Sequence, residues 1–239
     1  QYAERFPSKR FVLTDDASIQ RPNVAAMVFQ AHEGAFLAGV LAGRMTMSKR
    51  VGFIGGVDTA PVQAFRSGFE EGVAHATGDV EVEVHFVTRG SDYSGFSDPA
   101  QGAEMAAKMY ARGVDIIFAV AGLTGNGIIR AAQQAGRYAI GVDADQDHIA
   151  KGHVLTSMMK RLDRAAFLEV TRIVQHEFKA GASTYSLANG GVSLSPMRYT
   201  RHLIPDAVLT SLKTIESDII AGRIEVTDIL AEDRATPTQ

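Results

Sequence analysis

Between residues 50 and 142 the hydrophobic pattern changes its period again and again. Apolar runs at Val51–Ile54, Val82–Val87, Val114–Val120 and Tyr138–Val142 alternate with stretches of helical length at about Pro61–His75, Pro99–Arg112 and Asn126–Ala135. Strands alternating with helices of that length specify a parallel sheet joined by right-handed crossovers. Two helix starts carry their own signals. Asp98-Pro99 offers an N-cap with proline at the first helical position, and Thr59-Ala60-Pro61 is a similar start one residue out of register.

The pattern continues on both sides of this block. Before it stand an apolar strand at Phe11–Thr14, a second at Val24–Phe29, and the helical stretch Glu33–Thr46, where Gly34, Gly39 and Gly43 are expected to permit close packing. After it come a strand at Val154–Met159, a helix from about Leu162 to Phe178, a glycine-rich stretch at 181–191, a short strand Gly191–Leu194, and an amphipathic helix from about Pro205 to Ala221. The polar tail 235–239 is expected to fray. Candidate crossings between two lobes lie at Met47–Arg50 and Ser157–Lys160. The expected division is therefore 1–48 with 160–239 in lobe one, and 49–159 in lobe two.

Composition narrows the function classes. With 239 residues, 46% of them hydrophobic, the chain buries a substantial core. A net charge of -3 supplies no general positive field, so a nucleic-acid backbone is not an expected partner. The absence of cysteine excludes disulfides, a thiol nucleophile and cysteine-ligated metal. No apolar run approaches the length of a membrane span, and the segment starting at Gln1 has no basic-then-apolar leader.

Open α/β sheets place their ligand groups where strands end. Asp15, Asp16, Asp58, Asp143 and Asp145 all follow predicted strands, and Lys160 ends another. Carboxylates there can bind a metal, act as acid and base, or accept hydrogen bonds from sugar hydroxyls. Lys160 can form a Schiff base, clamp a phosphate or donate to a sugar, and with Arg161 beside it can equally be an exposed basic turn. Gly55-Gly56 and Gly122-Leu-Thr-Gly-Asn-Gly127 follow strands but match neither the dinucleotide fingerprint nor a P-loop. No G-x-S-x-G, S-x-x-K or H-E-x-x-H element is present, so no catalytic centre, metal or cofactor is expected. Phe118 reads either as a core residue or as a ring presented at the cleft.

Six segments in order carry a resemblance: Glu33-Gly-Ala-Phe-Leu-Ala-Gly39, Val51-Gly-Phe-Ile-Gly-Gly56, Phe96-Ser-Asp-Pro99, Asp115-Ile-Ile-Phe-Ala-Val-Ala-Gly122, Ala139-Ile-Gly-Val-Asp-Ala-Asp-Gln146 and Val154-Leu-Thr-Ser-Met-Met-Lys-Arg161. Together they resemble the basic membrane protein family of ABC-transporter substrate-binding proteins, which includes a purine nucleoside receptor. The resemblance implies a periplasmic-binding-protein-like α/β fold, with two doubly wound parallel-sheet lobes closing by a hinge on a nucleoside and no chemistry performed. It implies delivery to an ABC permease from a periplasmic or cell-surface-anchored position. Carried over residue by residue, Asp143 and Lys160 would grip ribose hydroxyls, Asp15 is a carboxylate at the cleft, and Phe118 and Gly122 belong to the segment lining the base pocket. Family members begin with further βα units that have no counterpart here, so the first lobe is expected to be incomplete at its N-terminus. The same fold also serves ligand-sensing regulatory domains and enzymes acting on sugars or nucleosides.

Overall fold

A computed structural model describes residues 1–231, and the tail expected to fray lies outside the described residues. A single helical turn, α1 (Tyr2–Arg5), precedes β1 (Phe11–Thr14) and β2 (Val24–Phe29). Then follow α2 (Ala31–Met45), β3 (Arg50–Asp58), α3 (Ala60–Ala76), β4 (Glu81–Arg89), α4 (Pro99–Ala111), β5 (Ile116–Val120), α5 (Thr124–Gln134) and β6 (Tyr138–Asp143). The chain ends with β7 (Val154–Lys160), α6 (Leu162–Val174), β8 (Gly181–Tyr185), β9 (Val192–Leu194) and α7 (Asp206–Ile220). Asp98 caps α4, its side chain accepting from the Gln101 N–H at 2.9 Å, with Pro99 in the first turn.

These elements build two sheets. Six strands lie in the order β4-β3-β5-β6-β7-β9, all neighbours parallel except β9, which runs antiparallel to β7. The smaller sheet is β1-β2-β8, entirely parallel. The larger sheet is covered on both faces. Ile116, Phe118 and Val120 of β5 enter the core shared with α2 and α3, while Ile117 and Ala119 enter the core under α4 and α5. A strand buried on both faces reads as an unbroken apolar run, as β5 does. Its outer edge, β4, carries Glu81, Glu83, His85 and Arg89, charges that discourage pairing with another chain.

Three details depart from the sequence expectation. The helix expected to reach Phe178 stops at Val174, where His176 turns left-handed at φ 61°. The glycine-rich stretch contains β8, whose small and mostly exposed residues hold extended backbone because β2 offers them hydrogen-bonding partners from Ala25 to Phe29. The third departure is a correction to the lobe boundaries. Helix α2, assigned with the first lobe, packs on α3, β7, β9 and α7, so the change of sheet falls at Gln30 and not at Met47–Arg50. The chain returns to the smaller sheet after Lys160 and leaves it again between Tyr185 and Val192.

The reason α2 joins the larger body is backbone contact with α3. A Cβ on Gly39 would lie 2.1 Å from the Phe69 carbonyl oxygen, and one on Gly72 would lie 2.0 Å from that of Phe36. Contacts advance together from His32 with Gly68 to Gly43 with Ala76, so the two helices run parallel, with the first turns of α3 extending beyond the start of α2. The loop between α2 and β3 is held separately by buried Asp115, which accepts from Thr46 Oγ1 at 2.7 Å, Met47 N–H at 2.7 Å and Ser48 N–H at 2.8 Å.

Gly72→Ala is expected to push the helices apart and destabilise the fold by about 1–3 kcal/mol or more, the scale of core overpacking. Gly78→Ala, where nothing lies within 4 Å, serves as the control and should shift stability by no more than about 0.5 kcal/mol. Denaturant unfolding of the two variants checks the pair.

Candidate functional site

The parallel packing of α2 and α3 brings two helix starts to the same place. Ala31 and His32 from α2, with Ala60, Pro61, Ala64 and Phe65 from α3, line one side of a cavity whose other walls include Asp15, Asp16, Phe29 and Lys160. The cavity therefore lies between the ends of the two sheets.

Each charged group owes its position to a strand ending. Asp15 directly follows β1, and its N–H donates to the Met27 carbonyl at 2.8 Å. Asp143 is the last residue of β6 and Lys160 the last of the adjacent β7. Asp15 and Asp143 both hold left-handed backbone, at φ 60° and 66°, a conformation that non-glycine residues adopt at some cost, smaller for Asn and Asp. Two strands from different sheets thus end in the same strained turn, each with a carboxylate on it.

Lys160 joins the two sheets. Its ammonium donates to Asp15 Oδ2 and lies 5.0 Å from the centroid of the Phe29 ring. Asp143 remains accessible to solvent, yet protein surrounds it as a cleft does, and that enclosure raises its pKa. Lys160 opposes the rise and Asp15 adds to it. Asp16 behaves differently. Ser18 donates to Asp16 Oδ1 through its hydroxyl at 2.6 Å and its N–H at 2.9 Å, holding the carboxyl below the usual range.

The structure brings together Asp15, Lys160 and Asp143, and separates them from the other two expected residues. Phe118 is a correction. It is fully buried against Phe53, Phe65 and Phe69, with ring centroids 5.8, 6.5 and 5.2 Å away, because both faces of β5 are core. Gly122 lies just beyond β5 at φ 55°, at the ligand-facing edge of the larger sheet but outside the cavity lining. It packs against Phe96, which in turn stacks with exposed Tyr93 at 6.4 Å.

The remaining acidic residues have local work. Asp58 accepts from Gln63 Nε2 at 2.6 Å, and Asp145 accepts from the Asp147 N–H at 3.3 Å. Gln146 fastens the β6–β7 connection, accepting from Val142 N–H at 2.9 Å and donating its own N–H to Ser157 Oγ at 3.0 Å. Among the described residues no group of three or more His, Asp or Glu side chains is arranged to hold a metal ion, and no helix is long and apolar enough to cross a membrane. Sequence reasoning missed Phe29, His32 and Phe65 as cavity residues. Phe29 carried a usable signal, since it ends an apolar strand in the same way as Asp143 and Lys160. The resulting site has carboxylate acceptors, one ammonium donor and aromatic rings.

Residues 1–229 match the family described as ABC transporter substrate-binding protein, PnrA-like. Basic membrane protein B of Borrelia garinii subsp. bavariensis is 40% identical over 168 residues, which are 69% of this chain and 47% of that protein. Basic membrane protein A of Borreliella afzelii is 34% identical over 209 residues, 85% of this chain and 61% of its own length. The chain thus spans about half to under two thirds of these relatives. A solved solute-binding protein of an ABC transporter system from Aeropyrum pernix K1 superposes with a TM-score of 0.84 at 25% identity, covering 98% of this chain and 75% of that one.

The raised pKa of Asp143 makes a signed prediction. A carboxyl that ionises less readily folded than unfolded contributes stability that is complete below the ordinary value of 3.8 and is lost as pH rises through the folded pKa. Asp143→Asn should therefore raise the melting temperature by a few degrees at about pH 7, with the gain shrinking towards about pH 3. Asn also suits the left-handed turn, so the difference between the two pH values, read by calorimetry, isolates the charge.

Proposed function

The chain belongs to the PnrA-like family of ABC transporter substrate-binding proteins, and from that premise we propose that its cavity captures a nucleoside, with purines preferred, for delivery to a membrane permease. The observation that carries this reading is the placing of Lys160. Its ammonium reaches Asp15 on the other sheet, rests on the Phe29 ring and stands beside Asp143. Vicinal hydroxyls of a ribose need acceptors and a donor close together, and this cluster offers both. A flat base needs aromatic faces. Phe29 and Phe65 in the cavity supply them, and Phe96 with Tyr93 at the neighbouring strand edge takes the part first given to Phe118. Gly122, packed on Phe96, contributes backbone to the same edge.

Binding without turnover is in keeping with a family of binding proteins. The two sheets meet at the cavity and are linked by three chain crossings, an arrangement suited to hinge closure on a ligand. A permease would read the closed shape, with the protein on the periplasmic face or anchored at the cell surface.

Calorimetric titration with inosine, guanosine, adenosine and cytidine tests the proposal. Saturable heat is expected with purine nucleosides, with the ligand recovered intact. Absence of heat with all four would overturn it. Lys160→Ala should weaken binding roughly 10- to 100-fold, the worth of a hydrogen bond from a charged donor. Hydroxyls donate to an ionised Asp143, whose pKa is raised, so affinity should begin to fall on acidification at a higher pH than an ordinary aspartate would set. Asp143→Asn should bind more weakly and remove that part of the pH dependence.

A further inference from the structure

Behind the cavity lies a carboxylate that ligand contact does not explain. Glu169, on α6, is 1% exposed. Its Oε1 accepts from the Tyr185 hydroxyl at 2.9 Å and from the Arg172 guanidinium at 2.6 Å, while Oε2 is buried with no hydrogen-bond partner among the described residues. Arg172 also donates to Ser183 Oγ on β8 at 3.2 Å. A buried carboxylate with half its capacity unused is an expensive way to fill space, since an apolar side chain of like volume is often at least as stable. Its geometry supplies a different use.

Tyr185, which Glu169 holds by the hydroxyl, ends β8 directly opposite Phe29 in the register of the smaller sheet. The two rings stack at 5.3 Å with 27° between their planes. The Phe29 ring in turn carries the Lys160 ammonium. A continuous line of contact therefore runs from a buried anion, through two aromatic rings, to the cation in the cavity. Strand pairing fixes the separation of the two rings, and the Glu169 hydrogen bond fixes the tilt of the outer one. Charges facing Lys160 are Asp15 and Asp143, and either can draw the ammonium away if the ring beneath it turns.

We propose that Tyr185 and Glu169 are positioning residues for Lys160, holding the Phe29 ring in the plane that keeps the ammonium aimed into the cavity. The proposal rests on Lys160 being a ligand group, and one half of its test does not. Lysine enriched with ¹³C in the full chain gives a side-chain spectrum in which the Lys160 signal, identified by its loss in Lys160→Arg, is displaced by the Phe29 ring current. In Tyr185→Leu that signal should move to the position of the exposed lysines, and inosine binding should weaken roughly tenfold, the scale of a partly desolvated cation–π contact. Glu169→Gln should move the signal part of the way, and Tyr185→Phe, which keeps the ring, should move it less than Tyr185→Leu does.

A folded Tyr185→Leu protein whose Lys160 signal is unmoved would overturn the proposal, as would an inosine affinity in that variant equal to that of a wild-type protein that binds inosine. If Tyr185→Leu does not fold, an unmoved signal in both Glu169→Gln and Tyr185→Phe overturns it instead. Movement of the signal in a protein that binds no nucleoside would sink the ligand reading and leave the positioning of Lys160 standing.

Discussion

Two helices that touch backbone to backbone govern the geometry of this molecule. Because Gly39 and Gly72 leave no side chain between α2 and α3, the helices run parallel at a separation that ordinary residues would not permit. That contact binds α2 to the six-stranded body although its preceding strand belongs to the other sheet. Residues from the starts of both helices, Ala31 and His32 of α2 with Ala60, Pro61, Ala64 and Phe65 of α3, form one wall of the cavity. The opposing groups, Asp15 and Phe29, hang from the smaller sheet and meet that wall through Lys160.

The alternation between residues 50 and 142 was fully legible, because long periodic helices and doubly buried strands each leave a strong mark in composition. Strand ends were legible too, and with them Asp15, Asp143 and Lys160. Three other features were not. Phe118 sits in an unbroken apolar run, where local sequence gives no sign of which face a residue takes, and here both faces are core. Strand β8, reading Gly-Ala-Ser-Thr-Tyr, has neither alternation nor bulk, and exists because β2 has an unpaired side for it. Helix α2 follows β2 so closely that sequence order suggests one shared sheet, whereas its glycines choose a partner some thirty residues further on.

The electrostatics of the cavity combine opposite tendencies. Enclosure and the Asp15 charge favour the neutral form of Asp143, while Lys160 favours the ionised one. Both aspartates that flank the lysine occupy left-handed turns, so strain and charge are concentrated in the same few residues. The Phe29 ring belongs both to the aromatic packing of the smaller sheet and to the cavity.

The chain passes between its two sheets three times, at Gln30, at Lys160–Arg161 and between Tyr185 and Val192. Neither half of the molecule is consequently a contiguous stretch of gene. No single cut yields one intact half, and no single fusion joint can exchange one half for that of another protein. Exchanging either half therefore requires more than one joint.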